Sequence, residues 1–515
     1  MASNVPLPLA PSSRIPRLTQ DSLDCLLPVT DAFRQEYLTY YRMLPLAIEA
    51  GRLRVAVAGI PNDGALEDLR ESYQADLECI AVDEAVLNDA IRRVFAASES
   101  VIELVRDLGA ELEPAVENGD AEPTDVRGLA NQPPVIRFVN LLIREAHEAA
   151  ASDIHLEATR DGLRVRLRID GVLSELPGPP RGLQAAIVSR VKLLAELDIA
   201  ERRAPQDGRI RVRLESRELD LRVSTVPTLF GESLVLRLLD RGGRSVTLDD
   251  LGLPPAPLDE FRGLARRAHG ILLATGPTGS GKTTTLYAAL GLRRPAEEKI
   301  ITVEDPVEYH LPGITQVPVH PRAGVTFAAA LRSILRQDPD VLMIGEMRDA
   351  ETSGIAIQAA MTGHLVFSTV HTNDAATAVA RLSDLGVEPY MVASTLEGVL
   401  AQRLVRKICP DCHQRYAPAP ESVALLTQQP VGSVSLLRGT GCASCRQTGY
   451  RGRVGIFELL VVTDEQKRLI ARGADVADIR TLARDQGMVT LREDGWHKVQ
   501  AGITTVEEVL RVIGS

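Results

Sequence analysis

At 515 residues the chain is too long for a single hydrophobic core, so roughly two to four domains are expected. Apolar residues at 45% and charged residues at 25% match globular averages, and no apolar run approaches the about 18 uncharged residues a spanning helix needs. A net charge of −11 with 3% aromatic residues argues against tracking nucleic acid through a basic, aromatic-lined channel, although an acidic total leaves room for a local basic stripe.

The opening segment, MASNVPLPLAPSSRIPRL, is broken by prolines and arginines and lacks the apolar core of a signal peptide. A soluble, cytoplasmic chain is expected, with any membrane role supplied by a partner. From about residue 20 the pattern is that of a small α/β domain. RLRVAVAG (Arg52 to Gly59) alternates like a half-buried strand, and LEDLRESY and LNDAIRRVF carry helical spacing. No chemistry-bearing residues cluster there, so residues 1–112 read as a docking domain. The Pro-, Gly- and acid-rich stretch 113–135 reads as a linker.

Residues 136–245 form the next unit. IRFVNLLIREAHEAA is an amphipathic helix with Val139, Leu142 and Ile143 on one side. In LRVRLRID, Leu163, Val165, Leu167 and Ile169 alternate with Arg164, Arg166 and Arg168, marking a strand with one buried and one basic face. Basic alternation returns at Arg209, Arg211 and Arg213, and later strands add Arg222 and Arg237. Taken singly these are solvated strand faces. Several on one antiparallel sheet suit charge compensation across an interface.

Residues 250–515 hold the chemistry. The apolar runs GILLATG, KIITVED, DVLMIGE and HLVFSTVH alternate with helix-compatible segments such as TFAAALRSILRQ and ETSGIAIQAAMTG. That alternation predicts an α/β fold with a parallel, doubly wound sheet and a site at the carboxyl ends of its strands. The first run leads into GPTGSGKTT: Gly276, Pro277, Thr278, Gly279, Ser280, Gly281, Lys282, Thr283 and Thr284. This fills the P-loop template, with a strand before it and a helix after it, as a plain Gly-rich turn would not. Its amides suit phosphate oxygens, Lys282 suits the β- and γ-phosphates, and the Thr283 hydroxyl suits Mg²⁺. Glu304, Asp305 and Glu308 follow the second run and Glu346 the third, while His364 and His371 flank the fourth. Glu346 is preceded by Gly345 rather than by the usual Mg²⁺-side Asp, so Glu304 or Asp305 is left to share that role.

Among six cysteines, Cys409, Cys412, Cys442 and Cys445 form two C-x-x-C knuckles separated by 29 residues. The spacing reads as structural Zn²⁺ held by four thiolates, with a redox pair or chance clustering as the alternatives. Cys25 and Cys79 stand alone and read as small buried residues.

Together these motifs resemble the secretion ATPase superfamily, and more closely the ATPase of type II secretion systems and its relative, the type IV pilus extension ATPase. The resemblance spans nearly the whole chain: the P-loop, the acidic box ITVEDPVEY, the strand LRQDPDVLMIGEMRD, the histidine box TGHLVFSTVHTND, the knuckles, and the closing REDGWHKVQAGITTVEEVLR. Gly345 before Glu346 is itself a feature of that family.

The resemblance implies an α/β, RecA-like P-loop ATPase domain over 250–515, with a zinc-binding subdomain at 405–450 and a helical part at 455–515. It also implies a PAS-like α+β middle domain over 136–245 and a homo-hexameric ring binding ATP, Mg²⁺ and Zn²⁺. Middle-domain arginines complete the site, at Arg209 in QDGRI and Arg222 in LDLRVST, with Arg237 a weaker third. Glu346 activates or orients water, Glu304 helps with metal or water, and His364 and His371 sense the γ-phosphate. The division of base work between the two glutamates stays open.

The first domain is implied to dock on the cytoplasmic part of an inner-membrane assembly protein, beside an inner-membrane platform protein. The chain is then cytoplasmic and peripheral to that membrane. The implied activity is an ATP-driven motor that assembles a pseudopilus for secretion across the outer membrane; a single compact N-terminal module with a short linker favours this over pilus extension. A nucleic-acid translocase on the same core is the alternative of a different class, and no nucleic acid is expected as a partner.

Overall fold

The computed structural model of the chain describes residues 33, 35–49, 52–73, 75–88, 90, 91, 101, 104, 105, 130, 132–214, 217–240, 246–428 and 434–514. Most of the expected linker lies outside the described residues, as do Cys25 and the opening segment.

The first unit is a small sheet. Strands β1 (Met43–Glu49) and β2 (Arg52–Val57) pair antiparallel, and β3 (Asp76–Ala81) joins β2 in parallel after the crossover helix α1 (Asp63–Tyr73). Ala65 and Leu69 of α1 are buried on one helical face, whereas β2 alternates only over Arg52–Arg54 and then buries Val55, Ala56 and Val57 in succession, so its second half is covered on both faces.

The second unit begins with α2 (Pro133–Glu148), whose proline start costs no hydrogen bond because the first helical N–H groups have no partner. Phe138, Val139 and Leu142 of α2, with Ile187 and Val191 of α3 (Gln184–Leu194), pack on one face of a six-stranded sheet. Its strands are β4 (Ala151–Thr159), β5 (Gly162–Ile169), β6 (Val172–Leu176), β7 (Gln206–Leu214), β8 (Arg217–Thr228) and β9 (Gly231–Asp240). They lie in the order β6-β5-β4-β9-β8-β7, every pair antiparallel. Leu163, Val165 and Leu167 point into the core while Arg164 is exposed, as the basic alternation requires.

The third unit is built on β10 (Gly270–Thr275), β11 (Ile300–Glu304), β12 (Thr315–Pro318), β13 (Val341–Ile344), β14 (Leu365–Val370), β15 (Leu396–Ile408) and β18 (Tyr450–Val461), with the β16 (His413–Tyr416) and β17 (Leu436–Gly439) hairpin between the last two. The order is β12-β11-β13-β14-β10-β15-β18, parallel throughout except for the closing antiparallel pair β15–β18. Burial on both faces explains why β10, β11, β13 and β14 are apolar runs rather than alternations. Helices α4 (Pro255–Ala265) and α5 (Lys282–Leu290) cover one face, where Leu272, Ala274 and Leu400 point. Helices α6 (Phe327–Ile334), α7 (Ala350–Met361) and α8 (Ala375–Asp384) cover the other, against Ile271, Leu273 and Val399. The helices α9 (Asp464–Ala471), α10 (Val476–Asp485), α11 (Leu491–Gln500) and α12 (Val506–Ile513) extend that second core.

Second and third units meet at separate places. Asp170, in the β5–β6 turn, accepts from the Gly452 amide at 2.7 Å, and Glu145 lies 3.3 Å from Arg446. Elsewhere Arg222 of β8 donates to the Val307 carbonyl at 2.9 Å. No described helix is long and apolar enough to cross a membrane.

Candidate active site

The cradle forms where β10 turns into α5. Gly276 has φ 150°, and a Cβ there would come within 2.5 Å of the Gln402 carbonyl and 2.6 Å of Ser280 Oγ. Gly281, at φ 89°, precedes α5 without any side-chain cap. By contrast α6, α7 and α8 are capped by Thr326, Asp349 and Asp374, which accept from amides three residues on. The first amides of α5 are therefore left to a ligand, and the positive helix end favours an anion. Ser280 Oγ is buried with no partner among the described residues. Pro277, Thr278 and Gly279 are exposed at the rim, and Thr283 and Thr284 are half-buried in the first turn.

Lys282 is buried and donates from Nζ to the carbonyls of Gly276 at 2.8 Å and Pro277 at 3.0 Å. Burial lowers its ammonium to about 8; the Glu346 carboxylate opposes this and Arg403 adds to it. The donor set thus fits a polyphosphate: open amides, an unpartnered hydroxyl and an ammonium parked on loop carbonyls.

Glu346, 9% exposed, follows β13. Arg348 Nε lies 2.5 Å from its Oε2, and His371 Nε2, just beyond β14, lies 3.6 Å from the same oxygen. Burial and the Lys282 charge hold the His371 imidazole below its ordinary range, Glu346 opposing, so it is neutral at pH 7 and able to accept or donate. The carboxyl ends of β10, β13 and β14 thereby bring Lys282, Glu346 and His371 together.

Two expected site residues stand elsewhere. His364 precedes β14, where its carbonyl accepts from the Gly270 amide and Nδ1 lies 2.9 Å from the Ala359 carbonyl. A six-residue strand separates it from His371, about 20 Å at roughly 3.3 Å per residue, so His364 is at the wrong end of the sheet to read a phosphate on this P-loop. Glu304 is 2% exposed and already held by Tyr287, by Thr302 at 2.5 Å and by Gln316 at 3.2 Å. Both of its oxygens are thus bonded within the protein rather than open to solvent. Of that acidic box, Asp305 is exposed and Glu308 half-buried.

The arginines form a row. Arg209 stands opposite Arg222 across β7–β8, and Arg222 opposite Arg237 across β8–β9. Like charges directly opposed on neighbouring strands are destabilising, so the row calls for an anion. Asp153 supplies one end, accepting from Arg237 at 3.0 Å. All three arginines line a cavity of about 650 Å³ shared with Asp305 and Pro306 of the third unit.

The four cysteines are also brought together. Their sulfurs lie within 4.8 Å of one another, with three separations of 3.7 to 3.8 Å. A tetrahedral ion with metal–sulfur bonds of about 2.3 Å has edges of about 3.8 Å, so the set fits a closed four-thiolate metal site. The amides of Cys442 and Gly449 each donate to Cys445 Sγ at 3.2 Å, which favours its thiolate. Cys79 is half-buried and unpaired with any cysteine among the described residues.

Sequence reasoning missed Tyr287, Gln316, Arg348, Gln402 and Arg403. The last two lie on β15, and no spacing signal in AQRLVRK places that strand beside β10.

Comparison with known proteins places these features in context. A family model described as "Type II/IV secretion system protein" matches residues 129–511, and an MshEN domain model matches residues 13–101. The chain is 48% identical over 494 residues to type II secretion system protein E of Xanthomonas campestris pv. campestris, covering 95% of this chain and 86% of that one. It is 41% identical over 502 residues to the type IV pilus assembly ATPase PilB of Myxococcus xanthus, covering 96% and 88%. In fold it is similar to the Legionella pneumophila ATPase DotB, with a TM-score of 0.55 at 21% identity over 73% of this chain and 95% of that one.

Proposed function

The chain belongs to the type II/IV secretion system protein family, and from that premise we propose that it is the ATP-hydrolysing motor of a type II protein secretion system, powering pseudopilus assembly. The observation that carries hydrolysis is the Glu346–His371 pair, 3.6 Å apart beside Lys282 at the carboxyl ends of adjacent strands. The higher identity to a secretion protein than to a pilus ATPase supports the secretion reading. Pilus assembly is the second reading, because the pilus relative matches over as much of the chain.

In the proposed mechanism the open amides of α5 and Lys282 hold the triphosphate. Glu346 orients the attacking water and accepts its proton, while neutral His371 reads the γ-phosphate beside it. Thr283 would hold Mg²⁺, which neutralises charge on the β- and γ-phosphates. Arg209 and Arg222 close over the site from the middle domain and supply positive charge as it develops on the transferring group. Loss of the γ-phosphate removes their counter-charge, so the middle domain is released, and that rotation is the mechanical output. The four-cysteine site would hold Zn²⁺ and brace the subdomain between β15 and β18.

We further propose a homo-hexamer at the cytoplasmic face of the inner membrane. Residues 1–112 would dock on the cytoplasmic domain of an assembly protein, with the platform protein as the recipient of the motion.

The test uses the native host with the gene deleted. Secretion of folded exoproteins should fail and piliation persist, and the wild-type gene but not the Glu346→Gln variant should restore secretion. Loss of pili with secretion intact would instead establish the pilus reading.

A further inference from the structure

We propose that the adjacent pair Gln402–Arg403 on β15 is a positioning element that grips the nucleotide site from both faces of the sheet. Gln402 fixes the P-loop, and Arg403 fixes the loop that carries His371. The inference rests on the hydrolytic reading above and assigns parts to two residues that reading leaves idle.

Strand β15 runs parallel to β10 with Ala401 beside Thr275, so the next two residues fall level with the start of the P-loop. Successive side chains on a strand leave opposite faces. Leu400 shares the α5 side, and Val399 and Ala401 share the α8 side. Gln402 therefore emerges under α5, and Arg403 under the loop that enters α8.

Gln402 is 1% exposed and uses both ends of its carboxamide on the cradle. Nε2 donates to the Ser280 carbonyl at 2.6 Å, and Oε1 accepts from Thr285 Oγ1 at 2.7 Å. One bond holds the P-loop backbone and the other the first turn of α5, so together they set the angle between them. Its backbone carbonyl is also what a Cβ at Gly276 would strike, and its Nε2 would lie 3.0 Å from a Cβ at Gly281. The two glycines are thus required partly by Gln402.

Arg403, 5% exposed, donates from Nη2 to the Asn373 carbonyl at 3.0 Å and its Oδ1 at 3.3 Å, and from Nη1 to the Gln402 carbonyl at 3.2 Å. Asn373 is two residues past His371. The guanidinium thereby ties the end of the P-loop strand's neighbour to the loop whose imidazole faces Glu346. Keeping a guanidinium this deep is costly, and burial works against its charge, with Glu458 and Asp374 opposing.

The two grips differ in consequence. Distorting the P-loop alters how ground state and transition state are both held, which appears in affinity; moving His371 alters the transition state alone, which appears in kcat.

The experiment is steady-state ATPase and fluorescent-nucleotide titration of the full chain, with nucleotide-free melting recorded for each variant. Gln402→Leu should raise the nucleotide Kd about tenfold with kcat at saturation within about threefold. Thr285→Val, which removes the hydroxyl from the other end of one bond, should shift Kd in the same direction by less. Arg403→Met should lower kcat about tenfold while Kd, which also feels the lost charge beside Lys282, shifts by less than in Gln402→Leu, and Arg403→Lys should recover part of the kcat loss. Kd and kcat changing together in both variants, in step with the melting temperature, or neither changing, would overturn the proposal. If the wild type binds nucleotide yet never hydrolyses it, the hydrolytic reading fails and takes the Arg403 half with it, while the Gln402 half is still decided by Kd.

Discussion

Arg222 donates from Nη2 to the carbonyl of Val307, 85 residues further along the chain, at 2.9 Å. The bond reaches from the middle sheet to the loop after β11, beside the acidic residues Asp305 and Glu308. Burial pushes the guanidinium below its usual range; Glu308 opposes this, while Arg209 and Arg237 beside it add to it. An arginine crowded by its own kind and turned toward a nucleotide domain is short of an anion. The P-loop is built to hold one.

Replacing Glu346 by Gln preserves its size and removes the charge that balances Lys282 and Arg348 and that faces the His371 imidazole. We predict nucleotide affinity equal to wild type or tighter and a kcat lower by at least about 100-fold. Phosphate release under steady state, with a parallel binding titration, checks this; turnover at the ordinary rate sinks the assignment.

Lys282 gives a pH signature. Its folded-state value, about 8, lies below the ordinary 10.5, so burial of the ammonium costs stability in full below pH 8. That cost is relieved as pH rises from about 8 to 10.5, where the unfolded chain holds the extra proton. A bound polyphosphate favours the protonated form. Affinity for ADP should therefore be flat below pH 8 and fall above it, by up to about tenfold per pH unit. Titrations between pH 7 and 9.5 test this, and Lys282→Arg should flatten the profile. A wild-type profile that is level to pH 9.5 would contradict the proposed contact.

The four-thiolate site should carry about one zinc per chain by elemental analysis. Cys412→Ser or a strong chelator should remove it and lower the melting temperature by at least about 5 °C. Metal-free protein that melts where the loaded protein melts would show that the knuckles brace nothing.

The legible parts of the chain were those written in local pattern. Runs such as GILLAT announce a strand covered on both faces, and the P-loop carries its own backbone demands at Gly276 and Gly281. What stayed hidden depends on register and strand order. Nothing local says that Arg209, Arg222 and Arg237 share one cross-strand row, or that Arg237 of these three meets Asp153. His364 and His371 look equivalent beside one strand, yet a strand has two ends and only one meets the P-loop. Glu304 reads as an available carboxylate because its donors, Tyr287 and Gln316, are distant in sequence. Gln402 and Arg403 gave no signal, since their partners Ser280, Thr285 and Asn373 lie far from them in the chain.

If the middle domain completes the hydrolytic site, turnover depends on its arginines, and the full-length Arg209→Ala, Arg222→Ala double variant reports that dependence. Measured side by side for ADP affinity and steady-state ATP turnover, it should keep Kd within about threefold of wild type while kcat/KM falls by about 100-fold or more. Turnover at the wild-type rate would mean that the P-loop domain hydrolyses ATP unaided, and that the arginine row serves some other anion.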